Sequence, residues 1–378
     1  MPGLLPDVDP DGLLEYSVVY TDRSLNHMSR AFQGVMNDVS RGLKQAYGAR
    51  SVAVVPGGGT YAMEAVARQF AGGAKTLVIR NGFFSFRWTQ ILEAGGIAAA
   101  STVLKARRTG GEPQSPFAPA PIDEVVDAIR RERPAVVFAP HVETASGMIL
   151  PEAYVRAVAD AVHAVGGLFV LDCIASGAIW VDMRTCGVDV LLSAPQKGWS
   201  ATPCAGLVML GAEARARIDA TTSSSFACDL KRWLGIMETY ENGGHAYHAT
   251  MPTDGLRVLR GAIAETLEFG LDAAQAAQQR LGDQARALLA ARGFASVAAA
   301  GFAAPGVVVS YTGDPDIQNG RKFLASGLQI AAGVPLQCDE PADFRSFRLG
   351  LFGLDKLKNV ERTVATLASA LDRVIRAP

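Results

Sequence analysis

Apolar positions along this chain follow two periods. Between residues 29 and 47, Phe32, Val35, Met36, Val39 and Leu43 recur at three- and four-residue spacing, which predicts a helix with one buried side. Elsewhere the apolar residues gather in short unbroken runs at 51–55, 76–80, 135–139, 167–172, 188–193 and 205–210. Runs of Val, Leu and Ile without polar alternation suit strands buried on both faces. Helical stretches at 61–70, 122–131 and 151–165 separate several of them. This alternation predicts an α/β fold, a mostly parallel sheet covered by helices. In such sheets ligands collect beyond the carboxyl ends of the strands.

The pattern then changes. Residues 253–278 read as one long helix, a bridge to a smaller unit. A helix near 280–292, a strand at 306–311, a helix around 317–326, a strand near 344–351 and a terminal helix at 355–376 follow. The expected division is an N-terminal arm (1–28), a large domain (29–270) and a small C-terminal α+β domain (271–378).

Composition narrows the classes. At 49% hydrophobic and 19% charged residues, the 378-residue chain is globular. Its 36 basic and 37 acidic residues nearly cancel, so no basic excess points to nucleic acid or an anionic membrane. Five scattered cysteines (Cys173, Cys186, Cys204, Cys228, Cys338) form no C-x-x-C pair, which fits a reducing cytoplasm. The opening M-P-G-L-L-P-D-V-D-P-D-G carries acids, unlike a signal peptide, and no apolar run is long enough to span a membrane.

Three features carry chemistry. V-V-P-G-G-G-T-Y (54–61) follows a strand and opens a helix, so its amide N–H groups could approach an anion; a tight turn needing glycine is the other reading. It matches neither the Walker A loop nor G-x-G-x-x-G. Asp172 ends a strongly apolar strand, where a carboxylate is costly unless paired; it could cap a helix, bind a metal or face a protonated ring nitrogen. Lys197, in S-A-P-Q-K-G-W-S, ends another such run beside Trp199. There it is either a solvated amine or a partly desolvated nucleophile. Together, an anion cradle, an aspartate and a lysine at strand ends match what pyridoxal phosphate requires: a phosphate site, a partner for the pyridine nitrogen and an amine to form an imine.

On these motifs the chain resembles the class V aminotransferases of fold-type I, especially the alanine–glyoxylate and serine–pyruvate branch. The resemblance implies a seven-stranded, mostly parallel sheet, pyridoxal phosphate as cofactor and a homodimer with shared sites. P-G-G-G-T-Y then gives Gly58, Gly59 and Thr60 to the cofactor phosphate. N-G-F-F-S-F-R puts Phe84 on the pyridine ring where relatives often have tryptophan. H-V-E-T-A-S-G places Thr144 near the phenolic oxygen. L-D-C-I-A-S makes Asp172 the pyridinium partner and Ile174 the packing on the other face. S-A-P-Q-K-G-W-S assigns Gln196 to phosphate and Lys197 to the Schiff base. H-A-Y-H-A-T-M-P would bring Tyr247 and Thr250 to a neighbouring subunit's phosphate. R-S-F-R-L-G-L-F-G makes Arg348 the fork for the substrate α-carboxylate. The implied reaction moves an amino group from a small, alanine- or serine-like amino acid to a glyoxylate- or pyruvate-like 2-oxo acid.

Two departures matter. Where relatives carry a G-P-G-P-like turn, this chain has V-V-Y-T-D-R-S-L-N-H-M-S, so Arg23 and His27 either face the substrate or serve as surface and capping residues. Arg345, at an odd offset from Arg348 on a strand, reads as solvated. Cys338, ahead of Arg348, raises the alternative of a cysteine desulfurase or β-lyase, although Asp339 and Glu340 oppose a thiolate. A silent pyridoxal-phosphate-binding regulator is the other alternative. Cys173 reads as core. His141 reads as structural or as a support for the site near Thr144, with no second metal ligand at i+2 to i+4 beyond Glu143, and no metal is expected.

Overall fold

The computed structural model describes residues 13–376. The opening segment read against a signal peptide, and the first part of the expected arm, lie outside these residues. Seven strands build the main sheet: β1 (Ser51–Pro56), β2 (Lys75–Arg80), β3 (Ala100–Lys105), β4 (Val136–Pro140), β5 (Leu168–Asp172), β6 (Val190–Ser193) and β7 (Ala205–Leu210). They lie in the order β1-β7-β6-β5-β4-β2-β3. β7 runs antiparallel to both β1 and β6, and the remaining pairings are parallel. β4 to β7 are buried along their whole length, as their unbroken apolar runs require. β3 was not among the expected strands. It is the edge strand, A-S-T-V-L-K, exposed or half-buried throughout, and so lacks a continuous apolar signature.

Helices α1 (Arg30–Tyr47), α2 (Gly59–Phe70), α3 (Phe83–Ala94), α4 (Ile122–Glu132), α5 (Glu152–Ala164), α6 (Ala212–Ala220) and α7 (Leu230–Glu241) accompany this sheet. Ser29 caps α1, its side chain accepting the Phe32 N–H, and Phe32, Val39 and Leu43 are wholly buried. Burying such a side chain contributes roughly 1.5–3 kcal/mol.

The helix expected over 253–278 is two. α8 (Thr253–Phe269) stops at Gly270, whose φ of 94° and ψ of 130° no helix admits, and α9 (Leu271–Ala290) then continues through the separate helix expected at 280–292. Apolar spacing persists on both sides of the glycine, so periodicity alone reads straight across it. The expected 317–326 helix likewise divides into α10 (Pro315–Gln318) and α11 (Arg321–Ala325). The terminal one divides into α12 (Leu354–Leu357) and α13 (Val360–Arg376). These helices pack on a three-stranded antiparallel sheet of β8 (Val307–Tyr311), β9 (Ala331–Ala332) and β10 (Ser346–Gly350), ordered β8-β10-β9. Leu281, Phe323, Phe347, Leu349 and Leu371 form its core, separate from that of the large sheet.

Candidate active site

The parallel strands release their chains at one edge, and the residues singled out by type meet there. After β1 the glycine turn passes straight into α2, capped by Gly58, so the first amides of α2 have no helical acceptor. A Cβ on Gly59 would stand 2.5 Å from Ile174 Cδ1, so side chains are excluded where the turn meets the β5 loop.

Asp172 closes β5, flanked by Pro140 of β4 and Leu192 of β6. Its side chain is buried, and Oδ1 accepts the Ile174 N–H at 2.9 Å. Burial drives the carboxyl up to about 7, against the pull of that bond. A carboxyl in this position gains from a cationic N–H facing it, which the described residues do not supply at ion-pair distance.

Lys197 sits in the turn after β6. Burial and the nearby Arg348 guanidinium push its amine below the usual range, and Asp172 pulls the other way. The ring near Nζ is Phe352, its centroid 5.3 Å away. The expected neighbour Trp199 instead packs wholly buried against Tyr47 and Trp180, because the turn directs it into the core. A Cβ on Gly198 would lie 2.1 Å from the Gly177 carbonyl oxygen, so this turn needs glycine to seat beside the β5 loop.

Gly59, Thr60, Phe84, Thr144, Asp172, Ile174, Gln196 and Lys197 all line one cavity of about 170 Å³. Arg348 stands beside that lining. On β10 its Nε donates to the Ala332 carbonyl at 2.8 Å, and its guanidinium carbon lies 5.5 Å from the Phe84 ring centroid. Tyr247 and Thr250 are elsewhere in the chain, joined at 3.2 Å through their hydroxyls. Tyr247 lines a larger, open hollow of about 700 Å³ with Lys231 and Arg232. That hollow also carries Asp229 and His248, but of the candidate site residues it holds Tyr247 and not Asp172, Gln196 or Lys197.

Sequence reading missed Arg87 and Glu143. Arg87 also lines the cavity, with Nη1 donating to Thr60 Oγ1 at 2.9 Å. It lies three residues after Phe84 on α3, a spacing that shares a helix face and could have drawn attention to it. Glu143 is wholly buried. Its carboxylate accepts the N–H groups of Phe84 (3.2 Å), Ser85 (2.8 Å) and Ala145 (2.9 Å) and the Ser85 hydroxyl (2.7 Å), fixing the start of α3 and hence Phe84.

The remaining candidates fall outside the cavity. Arg23 is exposed, and His27 is buried among Tyr20, His245 and Tyr247. Arg345 is exposed and donates to the Gly313 carbonyl. His141 is buried with Nδ1 2.7 Å from Ser176 Oγ, and burial lowers its imidazole to about 4, a structural role. Cys173 belongs to the core. Cys338 is buried, its Sγ donating to the Arg80 carbonyl, and burial lifts the thiol to about 12. Among the described residues no three His, Cys, Asp or Glu side chains group as a metal site would need, and no helix is long and apolar enough to cross a membrane.

Known proteins share the family and the fold of this chain. The chain is 26% identical over 355 residues to the small subunit of a soluble hydrogenase from Synechococcus sp. (strain PCC 6716), covering 93% of this chain and 87% of that one. It is 26% identical over 256 residues to alanine–glyoxylate aminotransferase of Rattus norvegicus. That match covers 66% of this chain and 58% of the rat enzyme, so the aligned part spans little more than half of that relative. The crystal structure of an alanine–glyoxylate aminotransferase from Nostoc sp. superposes with a TM-score of 0.77 at 22% identity. It covers 93% of this chain and 89% of that one, and it shares the fold. A sequence model of the family described as Aminotransferase class-V matches residues 13–342, taking in the glycine turn, Asp172 and Lys197 and ending before Arg348. With most of its length matched and these groups gathered in one cavity, the chain belongs to the class-V aminotransferase family, whose enzymes use pyridoxal phosphate.

Proposed function

We propose that this protein is a pyridoxal-phosphate-dependent aminotransferase that moves the amino group of a small L-amino acid onto a 2-oxo acid of glyoxylate or pyruvate type. The observation that carries the reading is the convergence of the α2 N-terminus, Asp172, Gln196 and Lys197 on one cavity. The residues fit the cofactor: a glycine turn offers amides to a phosphate, and a buried carboxyl would pair with a protonated ring nitrogen. Pyridoxal phosphate, when bound, supplies an aldehyde for exchange with amines and an electron-accepting ring.

The protein's own groups do the rest. Asp172 would keep a proton on the ring nitrogen, and that charge would lower the carboxyl that burial raises. Phe84, Ile174 and Thr144 line the cavity, where Phe84 and Ile174 would pack on the cofactor ring and Thr144 would lie near its phenolic oxygen. Arg348, tethered by Ala332, presents its guanidinium to the substrate carboxylate. Lys197, its amine depressed by burial and by Arg348, is a base matched to taking a proton from substrate Cα and would deliver it to the cofactor's C4′ carbon, two bonds away across the amino nitrogen. Exposed Tyr247 and Phe226 support the homodimer, in which Tyr247 and Thr250 would serve the neighbouring site.

The desulfurase reading is weaker, because a buried thiol raised to about 12 and bonded to a carbonyl is no ready nucleophile. A screen of amino donors by absorbance tests the proposal. An alanine- or serine-like donor should bleach the visible band and a 2-oxo acid restore it. A protein that binds the cofactor yet responds to no donor would be the silent regulator instead.

A further inference from the structure

Arg87 has no assigned task, and its surroundings suggest one. Its Nη1 rests 2.9 Å from Thr60 Oγ1, the side chain in the first turn of α2, so the guanidinium stands at the anion-facing end of that helix. It lines the same cavity as Lys197, and among the lining residues these two are the cations. No carboxylate of the described residues lies within ion-pair distance of Arg87, although the chain pairs many of its other arginines. A guanidinium carbon 5.1 Å from the Phe84 ring centroid, with Asp172 acting on it only from beyond ion-pair distance, is held toward the cavity by a ring and a hydroxyl.

Charge accounting gives that cation a purpose. A phosphate monoester carries about −1.5 to −2 at neutral pH. The donors expected around it in this chain, the turn amides with Thr60 and Gln196, are neutral, and a helix N-terminus adds only about half a positive charge. Lys197 is committed to the carbonyl end. Resting on the reading given under Proposed function, we propose that Arg87 is a cofactor-binding residue that pairs with the phosphate of pyridoxal phosphate, supplying the fixed positive charge the rest of the cradle lacks. A short turn of the guanidinium away from the Thr60 hydroxyl presents two parallel N–H donors to phosphate oxygens.

The test compares two ligands that differ only in the phosphate. Cofactor-free full-length protein, as wild type, Arg87→Gln and Arg87→Lys, is titrated with pyridoxal phosphate and with pyridoxal, and binding is followed by absorbance. Losing a charge-assisted contact should raise the Kd for pyridoxal phosphate by about tenfold to a hundredfold in Arg87→Gln. The Kd for pyridoxal should stay within about twofold, and Arg87→Lys should fall between wild type and Arg87→Gln for the phosphorylated ligand alone. Should Arg87→Gln fail to fold, the lysine variant decides by the same selectivity. Equal weakening of both ligands would overturn the proposal and make Arg87 a prop for Phe84. An unchanged cofactor Kd with a raised KM for dicarboxylic donors would overturn it in favour of a substrate site. Wild-type protein that binds neither ligand refutes the aminotransferase reading itself, an outcome distinct from both.

Discussion

Asp172 concentrates the electrostatics of this site in one side chain. Its carboxyl, ordinarily near 3.8, is raised to about 7 by burial. Between those values the folded chain keeps a proton that the unfolded chain has released, so this group's contribution to stability falls as pH rises from about 4 to 7. An asparagine at this position would keep the Ile174 N–H bond without the charge. The cofactor-free Asp172→Asn protein should therefore exceed wild type in stability on the order of 2–4 kcal/mol at pH 8, converging with it at pH 4. Urea melts at the two pH values check this; a difference independent of pH would mean that the carboxylate is already satisfied. Loading with cofactor should reverse the order, because the wild-type charge then gains its partner. Arg87 and Glu143 show the limit of reading single residues. Neither type is rare, and only the folded α3 brings one to Thr60 and the other to the backbone of Phe84 and Ser85.

Among the elements, those with strong local signals were legible. The unbroken runs became β1, β2 and β4 to β7, and α1 appeared with its serine cap. The turns after β1, β5 and β6 could be named as chemical sites because strand ends are where parallel sheets expose their loops. Edge strand β3 and the amphipathically weak α6 were not legible, since neither shows a clean apolar period. The break between α8 and α9 escaped for a different reason: one glycine redirects the chain without disturbing the spacing around it. That reading has a measurable consequence. A Cβ at Gly270 would touch only Ala273, at 3.7 Å, so Gly270→Ala should be costly through dihedral strain alone, by about 1–3 kcal/mol in urea denaturation. An unchanged midpoint would indicate that the two helices can run on as one.

At the scale of the whole molecule, large apolar side chains stand in the open: Leu13, Leu14, Tyr16 and Val18 along the arm, with Tyr61, Phe226 and Tyr247 elsewhere. Side chains of this size, more than half exposed, are candidates for shielding at an interface. A homodimer would cover them and bring Tyr247 and Thr250 within reach of a second phosphate. Sedimentation equilibrium of the holoprotein should report twice the chain mass, and an active monomer would refute the shared site. The functional expectations depend on the amine at Lys197 meeting a cofactor aldehyde. Borohydride reduction of the holoprotein, followed by peptide mass spectrometry, tests that bond directly. The account predicts a single pyridoxyl-phosphate adduct on the peptide carrying Lys197, absent from Lys197→Ala; an adduct on a different lysine, or none in protein saturated with cofactor, would contradict it.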